Sequence, residues 1–490
     1  MGGLTVPNLV VLIIYLIIMV GIGIYCRRYT TKLEGFFVGF RNLGPWLLAF
    51  TYFATYYSSS VMIGNSGVGY KAGLAWFFMP IAQVLLIPIG LLLFAKALMN
   101  ASKQLGVITI PDYFRARYKS TLPSGFLALI MVVFLVPYMV AVTKGGALAF
   151  EILLGVPYKW AVVIIIAITA AYSVVGGFMS GVITDMIQGI IMIAGVVTVF
   201  IVSLVAAGGP AGVALKLQAI DPNLIRTPGT LGWAGLLGFS FVFGIAPWGI
   251  PQLLQKTLAM KSRRVVGPSA IVVLITALLV LYACNGSGVI ARALFGNEFI
   301  NNPDYALPTL IIRYLPPIMG AILLTAVVAA VMSTLDGILL VAAGAVSRDL
   351  YQQIINKKAS DKSVLRLTWI VMLVLSVITL FAAFSPPPML LYLTAFSFSL
   401  MTATILAPMF FGIYYKKATL AGCVASQLVG VAVVLILTIL KVKFLIHPLI
   451  PGLIAALITL PVVSSFTKKL PADFVARIFS DDYKLGKLTS

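Results

Sequence analysis

Apolar segments of about 20 residues alternate with short polar segments along almost the whole chain. A helix of that length crosses a bilayer, because each residue adds about 1.5 Å and the hydrocarbon core is about 30 Å thick. The pattern therefore predicts an all-α, multi-pass membrane protein with about thirteen transmembrane helices. The predicted spans are residues 6–25, 45–70, 74–98, 122–150, 160–175, 183–206, 231–254, 269–291, 317–347, 366–384, 389–414, 421–440 and 449–466.

Composition agrees with this interpretation, since 61% of the residues are hydrophobic and the mean hydropathy is +1.09. The net charge of +21 could indicate nucleic-acid binding in a soluble protein. Most basic residues, however, are grouped in alternate loops, as the positive-inside rule describes. The groups lie at 27–41, 96–119, 256–264, 348–366, 416–417 and 468–487. We therefore expect no nucleic-acid partner, and a protein of the cell (inner or plasma) membrane with its N-terminus outside and its C-terminus in the cytoplasm.

Two of the predicted spans are interrupted by small residues and proline, at 51–67 and at 243–251. They are spans 2 and 7, and paired interruptions of this kind indicate a transporter built from inverted repeats whose broken helices meet at mid-membrane. Glycine and proline are also frequent in ordinary membrane helices, where small residues allow close packing. The offset of five spans favours the first interpretation, with a 5+5 inverted repeat of helices 2–6 and 7–11.

The predicted organisation is a single transmembrane transporter domain covering residues 1–490. Its parts are an extra first helix at 6–25, repeat 1 at 45–206, repeat 2 at 231–414, helices 12 and 13 at 421–466, and a cytoplasmic tail at 467–490.

A small residue and two hydroxyls lie on one face of the ninth span. Ala330, Ser333 and Thr334 are spaced i, i+3 and i+4, which puts them on one stripe of a helix. Oxygens buried in hydrocarbon need a partner, and hard cations prefer oxygen ligands. Backbone oxygens freed by the first interruption, near Ala54 and Tyr57, would complete about five ligands for a sodium ion.

Three motifs occur in order along the chain. They are Thr109–Tyr118 (TIPDYFRARY), Gly176-Gly177-Phe178 followed by Thr184–Gln188 (TDMIQ), and Met332–Asp336 (MSTLD) ahead of Ser347–Tyr351 (SRDLY). Together they resemble the sodium:solute symporter family. The resemblance implies the inverted-repeat fold of the bacterial leucine transporter and alternating access driven by inward sodium. It also implies a sodium site formed by the backbone oxygens of Ala54, Tyr57 and Ala330 and the hydroxyls of Ser333 and Thr334.

Two buried acids remain open to alternatives. The resemblance implies that Asp185 belongs to a second sodium site or to a sodium exit route, whereas an aspartate near a helix start can also cap that helix. Asp336 can serve an ion or pair with an arginine of an inner loop.

The solute is indicated only weakly. Certain proline-transporting members carry an aspartate at the position of Tyr56, so the tyrosine speaks against proline. Segments 220–224 and 446–451 look most like the pantothenate permease branch, which favours a carboxylate.

The candidate solute-binding residues, all beside the interruptions or within a span, are Ser59, Ser60, Gln83, Lys144 and Trp248. Lys144 has two further interpretations: it can form a structural pair with Glu151, or it can extend its amine to the membrane interface.

These observations predict a sodium-coupled symporter that imports a small organic solute, either a carboxylate or an amino-acid-like molecule, with pantothenate favoured. We expect Na⁺ as the coupling ion and no further cofactor. The alternatives are a proton-coupled or sodium-independent transporter in which Lys144 acts as the switch, and a sensor or channel on the same scaffold. An enzyme is excluded, since no nucleophile–base pair, metal cluster or phosphate-binding loop is recognisable. The oligomeric state is left open.

Overall fold

The computed structural model describes residues 6–387, 390–440 and 447–479, which form nineteen α-helices and, in those ranges, no β-strand. The helices are α1 Val6–Cys26, α2 Leu33–Val38, α3 Pro45–Tyr56, α4 Ser59–Ala72, α5 Met79–Leu105, α6 Ile110–Tyr118, α7 Thr121–Leu154, α8 Tyr158–Ala206, α9 Gly209–Ile220, α10 Gly232–Ile245, α11 Pro251–Leu258, α12 Val266–Phe295, α13 Ala306–Tyr314, α14 Pro317–Gly344, α15 Asp361–Ala382, α16 Leu390–Tyr414, α17 Leu420–Ile439, α18 Leu449–Phe466 and α19 Ala472–Phe479. A π-helix, Ala345–Ile355, continues α14 directly.

Eleven helical stretches among the described residues are long and apolar enough to cross a membrane. Two of them each include residues of two predicted spans. Tyr158–Ala206, with 49 residues, covers both of its spans, whereas Ser59–Leu105, with 47, covers 74–98 and only the part of 45–70 that follows α3. At about 1.5 Å per residue, Tyr158–Ala206 is roughly twice as long as the hydrocarbon core is thick. Its helix, α8, is interrupted at Gly177, where φ is 55° and ψ is −156°. Only glycine adopts such a backbone easily, so the Gly176-Gly177 motif divides this helix.

The helix at the centre of the bundle is α14, whose most apolar window is entirely buried within the protein. It packs against α1, α7, α8 and α15. By contrast, less than a third of the corresponding window of the first helix is buried, which places α1 at the periphery. The polar stripe predicted on the ninth span is therefore enclosed by protein and does not face lipid.

Short polar residues set several helix starts. Thr109 caps α6 by accepting a hydrogen bond from the backbone N–H of Asp112, and Ser120 caps α7 by accepting one from Leu122. Part of the predicted C-terminal organisation lies outside the described residues: the tail 467–490 is described to residue 479 and contains α19, and the segment 446–451 is described from His447 onward.

Close packing between α4 and α12 depends on Gly288. A Cβ atom added at this position would lie 1.9 Å from the carbonyl oxygen of Ser66. That oxygen belongs to the backbone and cannot turn away, so α12 can approach α4 this closely only with glycine at 288. Gly267, at the start of the same helix, has no atom within 4 Å of its added Cβ.

We expect Gly288→Ala to destabilise the protein, because overpacking a tight contact costs about 1–3 kcal/mol. The measurement is the apparent unfolding temperature of the purified protein in detergent. Gly267→Ala is the matched control and should leave that temperature unchanged or slightly higher, since alanine favours a helix. Equal unfolding temperatures for the two variants would contradict the close approach of the helices.

Candidate functional site

The first interruption separates α3 from α4 at Tyr57 and Ser58. Tyr57 leaves the helical region, with φ −83° and ψ 67°, and Ser58 is extended. The Ser58 side chain then accepts a hydrogen bond from the backbone N–H of Val61 at 3.3 Å and starts α4. Carbonyl oxygens in the last turn of α3 are thereby released from the helical hydrogen-bond ladder.

Side chains of α14 meet those carbonyls. The hydroxyl of Ser333 donates to the carbonyl oxygen of Ala54 at 2.9 Å, and it lies 3.3 Å from that of Ala330. The Thr334 hydroxyl donates to the carbonyl oxygen of Thr55 at 3.1 Å. All these groups are buried. The structure thus brings together four of the five residues predicted to bind sodium, and the fifth, Tyr57, lies at the break itself.

Thr55 was missed by sequence reasoning. Its carbonyl oxygen accepts from Thr334 at the position next to Ala54. The spacing of the α14 hydroxyls, one residue apart, could have indicated that they reach two successive carbonyls.

The second interruption lies between α10 and α11. A 3-10 turn at Ala246–Trp248 follows α10, Ile250 is extended, and α11 begins at Pro251. The carbonyl oxygen of Ala246 accepts a hydrogen bond from the Thr402 hydroxyl at 3.1 Å. Broken segments therefore occur in both predicted repeats, and each has a carbonyl bonded to a hydroxyl from a later helix, although that of Ala246 also accepts from the backbone N–H of Gly249 at 2.8 Å.

Tyr56 connects the two interruptions. Its hydroxyl donates to the carbonyl oxygen of Phe243, at 2.8 Å, and accepts from the Gln83 side-chain amide, also at 2.8 Å. Its ring packs edge-on against Tyr57, with centroids 5.0 Å apart. Two buried polar atoms of this cluster, the Tyr57 hydroxyl and the Gln83 amide oxygen, have no hydrogen-bond partner among the described residues. Both atoms lie in the cluster beside the first break.

The other predicted pocket residues are divided between neighbouring helices. Ser59 donates to the carbonyl oxygen of Val142 on α7 at 2.7 Å, and Ser60 bonds to Ser58 at 2.7 Å. Trp248 donates to the carbonyl oxygen of Leu86 on α5 at 2.7 Å. The structure therefore places Ser59 and Ser60 at the first break but directs Trp248 towards α5.

Lys144 is almost fully buried and forms an ion pair with Asp304, at 3.1 Å between the ammonium nitrogen and a carboxylate oxygen. The same ammonium donates to the carbonyl oxygen of Pro387 at 3.0 Å. The structural pair with Glu151 considered for this lysine is wrong, because Glu151 instead accepts a hydrogen bond from Tyr305. Sequence reasoning missed Asp304, which lies in a 3-10 turn at Pro303–Tyr305, just before α13, without a recognisable motif.

Asp185 is fully buried in the second half of α8. One carboxylate oxygen accepts from the hydroxyls of Thr51 and Thr55 on α3 and lies 3.1 Å from the ammonium of Lys256 on α11. The alternative that Asp185 caps a helix is wrong, because this carboxylate bonds to two other helices.

Two further expectations change with the structure. Lys256 was predicted to lie in a basic inner loop, but it is buried in α11.

Asp336 forms no ion pair with an arginine in the described part of the chain. Its carboxylate lies against Gly181, one turn before Asp185 on α8, and a Cβ added at Gly181 would collide with it.

Comparison with known proteins places the chain in context. The model of the sodium:solute symporter family matches residues 36–430. The sodium/pantothenate symporter of Haemophilus influenzae is 32% identical over 460 residues, covering 91% of this chain and 94% of that protein. That of Escherichia coli is 30% identical over 468 residues, covering 94% and 96%. The osmoregulated proline transporter of Bacillus subtilis is 28% identical and covers 97% of both chains.

Solved structures show the same fold. A Na⁺-coupled sialic acid symporter in a substrate-bound, outward-open state superposes with a TM-score of 0.79 at 18% identity, covering 95% of this chain and 99% of that one. A transporter of the nucleobase-cation-symport-1 family, closed around bromovinylhydantoin, gives 0.60 at 15% identity, covering 92% and 97%. With the family model matching most of its length and a relative above 30% identity, the chain belongs to the sodium:solute symporter family.

Proposed function

We propose that this symporter imports a small organic carboxylate, with pantothenate as the favoured solute, together with one sodium ion. The observation that carries the proposal is the contact between the α3 break and α14. There, the carbonyl oxygens of Ala54 and Ala330 lie 2.9 and 3.3 Å from the buried hydroxyl of Ser333. The two sodium/pantothenate symporters among its relatives support the choice of solute.

In the proposed sodium site, the Ser333 and Thr334 hydroxyls turn their lone pairs towards the ion. Their protons, which now bond to the carbonyls of Ala54 and Thr55, then point away, so those carbonyl oxygens also become available. With Tyr57 and Ala330, this gives an all-oxygen shell between two helices. A bound ion favours whichever arrangement of α3 and α14 brings these oxygens together, by its difference in affinity for the two states.

The solute would bind beside the break, where Gln83 and Tyr57 carry unpartnered polar atoms. We propose that Lys144 supplies the charge that recognises the carboxylate. Its partner Asp304 belongs to repeat 2 and also accepts from the backbone N–H of Leu390 at 3.2 Å. The Lys144–Asp304 pair would close the outer side of the path, and a solute carboxylate would replace Asp304 when that side opens.

Asp185 fits an exit route better than a second sodium site. The Lys256 ammonium already compensates its carboxylate. An extra cation beside it would meet that positive charge. This arrangement supports one sodium ion per solute.

The proposed topology has thirteen crossings, with the N-terminus outside and the C-terminus in the cytoplasm. The division of α8 at Gly177 supports two crossings in that helix. The two breaks support inverted repeats at 45–206 and 231–414, flanked by the first helix, by helices 12 and 13, and by the tail at 467–490. The positions of the basic residues support the orientation.

Proton coupling through Lys144 is less well supported, because this lysine pairs with Asp304 and does not contact the sodium-site oxygens of α14. The single histidine offers no alternative proton carrier. Burial lowers the pKa of His447 to about 4, so its imidazole stays neutral from pH 5 upward.

Uptake of labelled pantothenate, proline and pyruvate into proteoliposomes tests the proposal. We expect accumulation of pantothenate that requires an inward sodium gradient and is unaffected by a proton gradient at constant sodium. Accumulation driven by protons in the absence of sodium would overturn the coupling ion, and preferential uptake of proline would overturn the solute.

Ser333→Ala and Thr334→Ala should each raise the sodium concentration for half-maximal uptake about tenfold or more. Removal of a ligand to a charged group costs about 1.5–3 kcal/mol, which corresponds to that factor. Ser376→Ala is the control, since the Ser376 hydroxyl only bonds back to Met372 within α15. A sodium dependence identical in all three variants would exclude the site.

The role of Lys144 is tested by comparing pantothenate with its uncharged primary amide. Asp304→Asn retains the lysine and should still prefer the carboxylate. The double variant with Lys144→Gln and Asp304→Asn leaves no unpaired buried charge. It should raise KM for pantothenate at least about 30-fold and lose the preference for the carboxylate over the amide. If the double variant still preferred the carboxylate over the amide, Lys144 would only close the path and would not recognise the charge of the solute.

A further inference from the structure

A strongly basic cavity of about 740 Å³ lies outside the solute path. It is enclosed by the end of α6, the start of α7 and the π-helix that continues α14. Four of its lining residues are cationic, namely Arg115, Lys119, Arg348 and Lys357, and none is acidic. The family motifs TIPDYFRARY and SRDLY contribute to these walls, but the proposed transport cycle gives this cavity no role.

The positive charge of the cavity is only partly compensated. The buried carboxylate of Asp112 bonds to Arg115 at 2.6 Å and lies 3.8 Å from Arg348. Lys119 and Lys357 form no ion pair among the described residues. The Lys119 ammonium instead lies 4.3 Å from the centre of the Phe474 ring. Asp112 therefore balances only part of the positive charge of the cavity, and a bound anion would offset more of it.

The π-helix is a second and independent observation. Helices of this type are rare and often mark functional positions. Here it brings Arg348, Gln352 and Gln353 to the same cavity. The guanidinium of Arg348 donates to Gln352, while its buried Nε has no partner among the described residues. Donors are therefore in excess over acceptors in this wall.

Several apolar residues next to the lining residues along the chain are exposed. Leu122, at the start of α7, is 59% exposed, and Ile355, at the end of the π-helix, is 75% exposed. Ile354 is also exposed and reaches α7 near Gly125. A site with cations inside and apolar side chains at its edge matches a ligand that has an anionic head and a hydrocarbon tail. Basic pockets between membrane helices on the cytoplasmic side suit the head groups of acidic lipids.

We propose that this cavity binds the phosphate-bearing head group of an anionic phospholipid from the inner leaflet. The proposal rests on the orientation proposed above, which puts α6 and the π-helix on the cytoplasmic side. Fourteen residues separate Thr334 from Arg348 along one continuous helix, or about 21 Å. A bound head group would therefore link the π-helix to the start of α7. This π-helix continues α14, the helix that carries the hydroxyls of the proposed sodium site.

Native mass spectrometry of the purified full chain in detergent, titrated with phosphatidylglycerol, tests the site directly. We expect Lys119→Gln combined with Lys357→Gln to weaken phosphatidylglycerol binding roughly 30-fold. The matched control combines Lys362→Gln and Lys468→Gln, two exposed lysines outside the cavity, and should change binding less than about threefold. Ala116→Phe fills the cavity without changing its charge and should also weaken binding.

Further measurements separate the possible sources of the phosphate. Phosphatidylcholine should bind much more weakly than phosphatidylglycerol, and millimolar inorganic phosphate should not displace the latter. Displacement by inorganic phosphate would overturn the lipid assignment in favour of a free phosphate. Equal losses in the cavity and control variants would overturn the site. Because binding is read in detergent without transport, these outcomes are independent of whether pantothenate uptake succeeds.

Discussion

A backbone carbonyl without a helical partner is costly inside a membrane protein, and this fold depends on how such carbonyls are satisfied. At the break after Tyr56, two backbone carbonyl oxygens accept hydrogen bonds from the hydroxyls of Ser333 and Thr334. The hydroxyls come from α14, the most deeply buried helix. The same contact therefore compensates the broken helix, joins the first half of the chain to the second, and gathers oxygens suited to a hard cation. Stability and the proposed ion binding therefore depend on the same atoms.

Other polar contacts also join the two halves. Lys144 and Asp304 form one buried ion pair between them, Asp185 and Lys256 form another, and Tyr56 bonds across to Phe243. Removal of one partner from such a pair leaves an unpaired buried charge, at a cost of about 3–5 kcal/mol. In the proposed transport cycle, each of these pairs separates only when another charge replaces the lost partner. This condition links the opening of either side to the presence of solute or ion.

Much of the fold could be predicted from the chain alone, because hydrophobic length and basic loops are local signals. The predicted second and seventh spans both contain breaks, and helix and loop bounds agree within a few residues at α7, α16 and α18. The α14 residues that meet the break after α3 follow from an i, i+3, i+4 pattern. The partners Asp304 and Lys256 could not be found this way. Each lies far along the chain from the residue it binds, and only the packing of distant helices brings them together.

Gly177 divides α8 into two rods with different attachments. The first is held to α14, since the Tyr172 hydroxyl donates to the carbonyl oxygen of Met332 at 2.8 Å. The second also packs on α14, at Gly181 and Gly195, and it bonds in addition to α3 and α11 through Asp185. A residue without a side chain, in a backbone conformation that other residues avoid, lies between them. A change in direction between the two rods can therefore be confined to the backbone of Gly177, and it need not spread as strain along the whole helix.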